Sequence, residues 1–175
     1  MFGLTPLGIV HTAISLVAVV AAIMAFFRYR EIPAASSLGK IYIVTTILTC
    51  LTGFGIFQHG GFGKPHALGV LTLLVLVLAA VAGRTQLLGR ASRYVEVVSY
   101  SATFFFHLIP AMTETATRLP LDAPLLANAE APELKAATGV LLVLFVIGAA
   151  LQVRRLRAER GVTARTDLHG SAAVR

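Results

Sequence analysis

His11, His59, His66 and His107 are the side chains of this 175-residue chain best suited to chemistry. Imidazole exchanges a proton near neutral pH and is the commonest metal ligand. Glu114 adds a carboxylate two helical turns beyond His107 on the same face. Three groupings follow. His11, His59, His66 and Glu114 are within about one helical turn of the same depth, so three or four of them could surround one transition metal such as zinc, iron, copper or nickel. His107 lies deeper, and paired with His11 it could supply the two axial ligands of a single b-type haem, with Gly53, Gly55 and an alanine face giving the macrocycle room. Finally, Glu96, Thr103, His107 and Glu114 form a ladder of exchangeable protons along one helix. Its gaps of about 10 Å require intervening water.

The elements that must position these groups are set by composition. With 57% hydrophobic and 13% charged residues, the chain is far below the roughly one-quarter charged content of soluble domains. A conventional water-soluble enzyme is excluded. Uninterrupted apolar stretches predict helices at 6–27, 39–59, 65–83, 95–117 and 133–153, each long enough for about 30 Å of hydrocarbon. Glu31 to Ser37 reads as a short polar turn, Gly60 to Pro65 as a tight reversal, and 118–132 as a loop holding three prolines. Loops this short make neighbouring helices antiparallel. The fold class expected is an all-α integral membrane bundle of five helices over 1–153, with 154–175 a disordered basic cytoplasmic tail in which His169 has no role. The lone cysteine, Cys50, forbids an intrachain disulfide or a multi-cysteine metal site.

Direction comes from the cations, because Lys and Arg of short loops stay on the cytoplasmic face. Threading the five helices alternately puts twelve of the fifteen Lys and Arg residues, from Arg28 and Arg30 to the tail, on one side. Only Lys64, Arg118 and Lys135 fall on the other. The orientation is therefore N-out, C-in, expected in a bacterial inner membrane. The net charge of +7 has this topological meaning and does not indicate nucleic acid. No cation precedes the first span and two follow it, which favours a retained helix over a cleaved signal. His11, His59, His66 and His107 then all occupy the outer half of the bilayer.

Polar groups in hydrocarbon must be paired or line a cavity. In the fourth span Glu96, Thr103, His107, Pro110 and Glu114 share a stripe about 60° wide. The second span carries Tyr42, Thr45, Thr49, Thr52 and His59, and the first His11, Ser15, Ala18, Ala22 and Ala25. These faces should meet around a pocket open to the outside. The third and fifth spans are mainly aliphatic and form a lipid-facing wall, with Ala79, Gly83, Gly139 and Gly148 allowing close helix contact. Each group also has a plainer role. His59 and His66 flank a wetted turn, His11 bonds a neighbouring helix, Glu114 pairs with Arg118, and the threonines bond the preceding turn's carbonyls.

His11 early in the first span, Gly39-Lys-Ile-Tyr42 opening the second, and Gln58-His59-Gly60-Gly61 before Pro65-His66 resemble small bacterial multi-span membrane proteins of families without an assigned chemistry. More distantly, the pattern resembles the four-helix b-type cytochromes that hold haem between histidines of antiparallel spans. Those proteins often place ligands at both membrane faces, whereas the inner half here has no histidine. The resemblance thus implies one haem, on the outer side. The leading expectation is a membrane redox or metal-binding protein carrying haem b or a transition metal. The alternatives are a proton-coupled transporter or channel, probable partners being further copies of the chain, and a structural subunit of a larger membrane complex.

Overall fold

The computed structural model describes residues 5–56, 61–120 and 122–172, with side chains to Gly161. All regular structure among them is helical: α1 (Pro6–Tyr29), α2 (Ser37–Gly53), α3 (Lys64–Thr85), a single 3-10 turn (Gly89–Ala91), α4 (Ser92–Arg118) and α5 (Pro132–Ala172). Helix ends follow local chemistry. The Thr5 hydroxyl accepts the Gly8 N–H at 3.1 Å, with Pro6 in the first turn of α1. Arg30 takes the left-handed conformation (φ 62°) and donates its N–H to the Phe26 carbonyl at 2.9 Å, closing α1. Ser36 then accepts the Gly39 N–H at 3.0 Å and donates to the Pro33 carbonyl at 2.9 Å, which starts α2 after a sharp turn.

α1 packs most extensively on α2, α3 on α4, and α5 on α4, while α2 bridges to α3. The face of α1 that turns inward is Gly8, Ala18, Ala21, Ala22 and Ala25. Small side chains let backbones approach closely where lipid offers no hydrophobic drive between helices. Ile32, Tyr42, Leu76, Ala79 and Tyr100 complete this core. α4 is the least apolar of the long helices and buries the largest share of its apolar window. Its polar residues thus lie in the middle of the bundle. Around it, Leu, Val, Ile and Phe side chains such as Phe27, Leu74 and Val140 are widely exposed, as expected of a surface solvated by hydrocarbon rather than water.

Four helices are long and apolar enough to cross a membrane; α2, at 17 residues, is the exception. It spans about 25 Å and ends at Gly53 rather than at 59. The reason is the Gly53-Phe-Gly55 sequence, where weak helix propensity gives way to turns closed by Phe54 N–H to Cys50 O and Gly55 N–H to Thr52 O, both 3.1 Å. α5 departs in the opposite sense. It does not stop at 153 but runs 41 residues to Ala172, because Leu156 is buried and Gln152, Arg155 and Arg160 bond other elements. Among the described residues Gly139 and Gly148 serve no helix contact, since a Cβ at either would meet nothing within 4 Å. None of the apolar window of α5 is buried inside the chain.

Candidate functional site

The central feature is a chain of side-chain hydrogen bonds between α2 and α4. His107 Nε2 lies 3.1 Å from the Thr46 hydroxyl, and the Tyr42 hydroxyl lies 2.7 Å from that of Thr103. The Tyr42 ring meets the His107 ring edge-on with centroids 6.1 Å apart, so the two bonded pairs are neighbours. Thr46, Thr103 and Tyr42 are wholly buried and His107 nearly so. Tyr42, Thr46 and Thr49 share one face of α2 at i, i+4, i+7, and Thr103 and His107 share one face of α4. Helical periodicity therefore brings the two sets into register.

Donor assignments follow from the backbone. Thr103 donates its proton to the Tyr100 carbonyl at 2.8 Å, so Tyr42 must be the donor in the Tyr42–Thr103 bond. Thr46 donates to no carbonyl of its own helix among the described residues, and its hydroxyl bonds His107 Nε2. The other threonines of α2 behave differently: Thr45, Thr49 and Thr52 donate to carbonyls of the preceding turn at 2.7–2.8 Å. Because the Thr52 proton is so committed, His11 Nδ1, 3.0 Å from Thr52 Oγ1, carries the hydrogen. That leaves the lone pair of His11 on Nε2.

The groups expected to gather at the histidine end separate. His66 Nδ1 accepts the Gly63 N–H at 3.2 Å, holding the start of its own helix, and its ring packs on Phe62. Glu114 is ion-paired to Arg118 four residues on and is more than half exposed. His59 lies outside the described residues. Among the described residues no three His, Cys, Asp or Glu side chains are close enough to hold one metal ion. His11 does remain within electrostatic range of His107 and Glu114. Gly53 and Gly55, expected to make room for a macrocycle, are covered by the His11 ring and by Leu7; a Cβ there would stand 3.2 and 2.9 Å from them. The threonines bonded by His11 and His107 are six residues apart, about 9 Å of helix rise, so the two rings bond α2 at different levels.

At the basic end lies a cluster that the sequence reading left in a polar turn. Glu31, 5% exposed, is held by Arg93 of α4 and by Arg155 of α5, the latter at 2.7 Å. Arg93 also pairs with Glu96 at 2.9 Å. Arg155 donates to the Tyr29 carbonyl at 2.8 Å, and Gln152 donates to the Arg30 carbonyl at 3.1 Å while accepting from Ser101 at 2.9 Å. Of the expected proton ladder, Thr103 and His107 each bond a side chain of α2, Tyr42 and Thr46 respectively, whereas Glu96 and Glu114 belong to arginine pairs at opposite ends. Glu96 also lies against Gly83 of α3, where a Cβ would come within 2.7 Å of its carboxyl group. The signal for Thr46 was its i+4 spacing from Tyr42; the signal for Glu31 was a single carboxylate beside Arg28 and Arg30.

Comparison with family models, curated proteins and solved structures finds no match. The site is read from its own geometry.

Proposed function

We propose that the chain is an integral membrane protein of the bacterial inner membrane, N-terminus out and C-terminus in, that moves protons as a proton-coupled transporter or channel. The observation that carries this reading is the buried cluster of His107 bonded to Thr46 beside Tyr42 bonded to Thr103, in which each hydroxyl can accept one proton while releasing another. Imidazole suits the entry of such a relay because one ring nitrogen can accept a proton while the other releases one. From Thr103 the next polar groups toward the basic end are Tyr100, Glu96 and the Arg93–Glu31 cluster. Intramembrane ionisable groups arranged this way mark ion and proton pathways in transporters. Five helices enclose little volume, and the uncovered α5 supports assembly of several copies. Proteoliposomes loaded with a pH-sensitive dye test the reading: an imposed proton gradient dissipates through the intact protein and not through His107→Ala. Equal dissipation by both would overturn it.

A second reading is favoured by His11, whose Nε2 lone pair is oriented by Thr52 in the way a metal-binding imidazole is held by an outer partner. In that reading a transition metal, or a b-type haem after rearrangement of the rings, binds at the histidine end. Elemental analysis and a visible absorption spectrum of the purified protein distinguish it: stoichiometric metal or a haem band supports it, and neither supports the proton path alone.

A further inference from the structure

A groove of about 520 Å³ opens at the basic end between the start of α4 and the extension of α5, lined by Arg90, Ala91, Tyr94, Arg157, Arg160 and Gly161. Among the described residues its lining holds three arginines and no carboxylate. Among the described residues none of the three forms an ion pair, in contrast to Arg93 and Arg155 one turn away, which are neutralised by Glu31, Glu96 and Glu159. The groove is also organised. Arg160 stacks on the Tyr94 ring with its guanidinium carbon 4.7 Å from the centroid, and one of its nitrogens donates to the Arg90 carbonyl at 2.7 Å. Guanidinium has five N–H donors in a planar fork matched to phosphate. Fixing it in this way leaves its remaining donors aimed at a partner.

We infer that this groove is a headgroup site for an anionic phospholipid of the leaflet at the basic end. Charge complementarity selects an anion, and the surroundings select a lipid over a free phosphate. Leu87 and Leu88, immediately before the 3-10 turn, are 77% and 47% exposed, and the apolar span of α3 ends at Thr85, just before them. A diacyl phosphate seated between Arg90, Arg157 and Arg160 would lay its chains on that surface. The site does not depend on proton movement. It explains why α5 continues beyond the apolar window: the extension carries two of the three cations.

The test uses the full chain in nanodiscs of zwitterionic phosphatidylcholine containing a minor fraction of phosphatidylglycerol, with retained lipid counted by native mass spectrometry. Phosphatidylglycerol should be retained in preference to phosphatidylcholine. Arg157→Gln should weaken that preference about fivefold, the change expected for one cation near an anionic surface. Arg157 makes no hydrogen bond or ion pair among the described residues, so this variant leaves the packing intact; the triple variant R90Q/R157Q/R160Q should lose the preference altogether. Equal retention of the two lipids, or an unchanged preference in Arg157→Gln, would overturn the proposal. Displacement of the lipid by millimolar inorganic phosphate would also overturn it and assign the groove to a free anion.

Discussion

Glu31 and Thr46 show how single side chains decide the interior of a bundle whose surface is almost uniformly apolar. Removing one partner from a buried ionic group leaves the others desolvated and uncompensated, which costs about 3–5 kcal/mol in a fully buried setting. Arg93 and Arg155 are about one-third exposed and keep Glu96 and Glu159 as second partners, so Glu31→Gln should fall at or below the low end, about 3 kcal/mol. Chemical denaturation in detergent measures this, and Arg93→Gln should cost less than Glu31→Gln. The reverse order would show that the carboxylate is not the hub. Thr46 matters differently. Its hydroxyl is the one threonine donor of the α2 face not spent on a carbonyl of its own helix, and for that reason it is available to His107.

Among the elements, the α1–α2 hairpin and the loop before α5 give the sharpest expectations. A Cβ at Gly39 would overlap the Pro33 carbonyl, a backbone atom that no side-chain rotation can move. Gly39→Ala should therefore destabilise the protein by about 1–3 kcal/mol, the range for forced overpacking, whereas Gly148→Ala, in open space, should be close to neutral. Thermal unfolding of the two variants compares them directly. At the opposite end Glu130 binds Lys64 at 2.5 Å and Lys135 at 3.4 Å, tying the start of α3 to the segment before α5. These lysines hold the Glu130 carboxyl below its ordinary value of 4.5. A carboxyl whose folded value is depressed stabilises fully above 4.5, and its contribution fades as pH falls through the lower folded value. Amide protection in residues 122–131, taken relative to the intrinsic exchange rate at each pH, should accordingly be high at pH 6 and fall below about pH 4.5; protection unchanged with pH would contradict the tie. Helix existence and the inward face of α1 were legible in the sequence, because apolar runs and the Ala18, Ala22, Ala25 spacing are local properties. The short α2 and long α5 were less so: one end is set by two glycines inside an apolar run, the other by contacts to residues over a hundred positions away.

For the whole molecule, four long apolar helices, a shorter one and a polar seam at the centre produce a protein apolar outside and hydrogen-bonded within. The candidate site was legible in part. His107 and Thr103 stood out because a polar stripe on one helix must face a partner, but sequence spacing along α4 could not reveal that α2 supplies a hydrogen-bond partner to each. Nor could depth alone separate groups that share a level from groups that share a centre, as His66 and Glu114 illustrate. The central claim is that His107 and Thr46 act in series in one path. Proton flux through proteoliposomes containing the wild type, His107→Ala, Thr46→Val and the double variant tests it most directly. Groups in series predict that each single change removes most of the flux and that the double variant loses no more than the worse single one; independent, multiplying losses or flux preserved in both single variants would contradict the account.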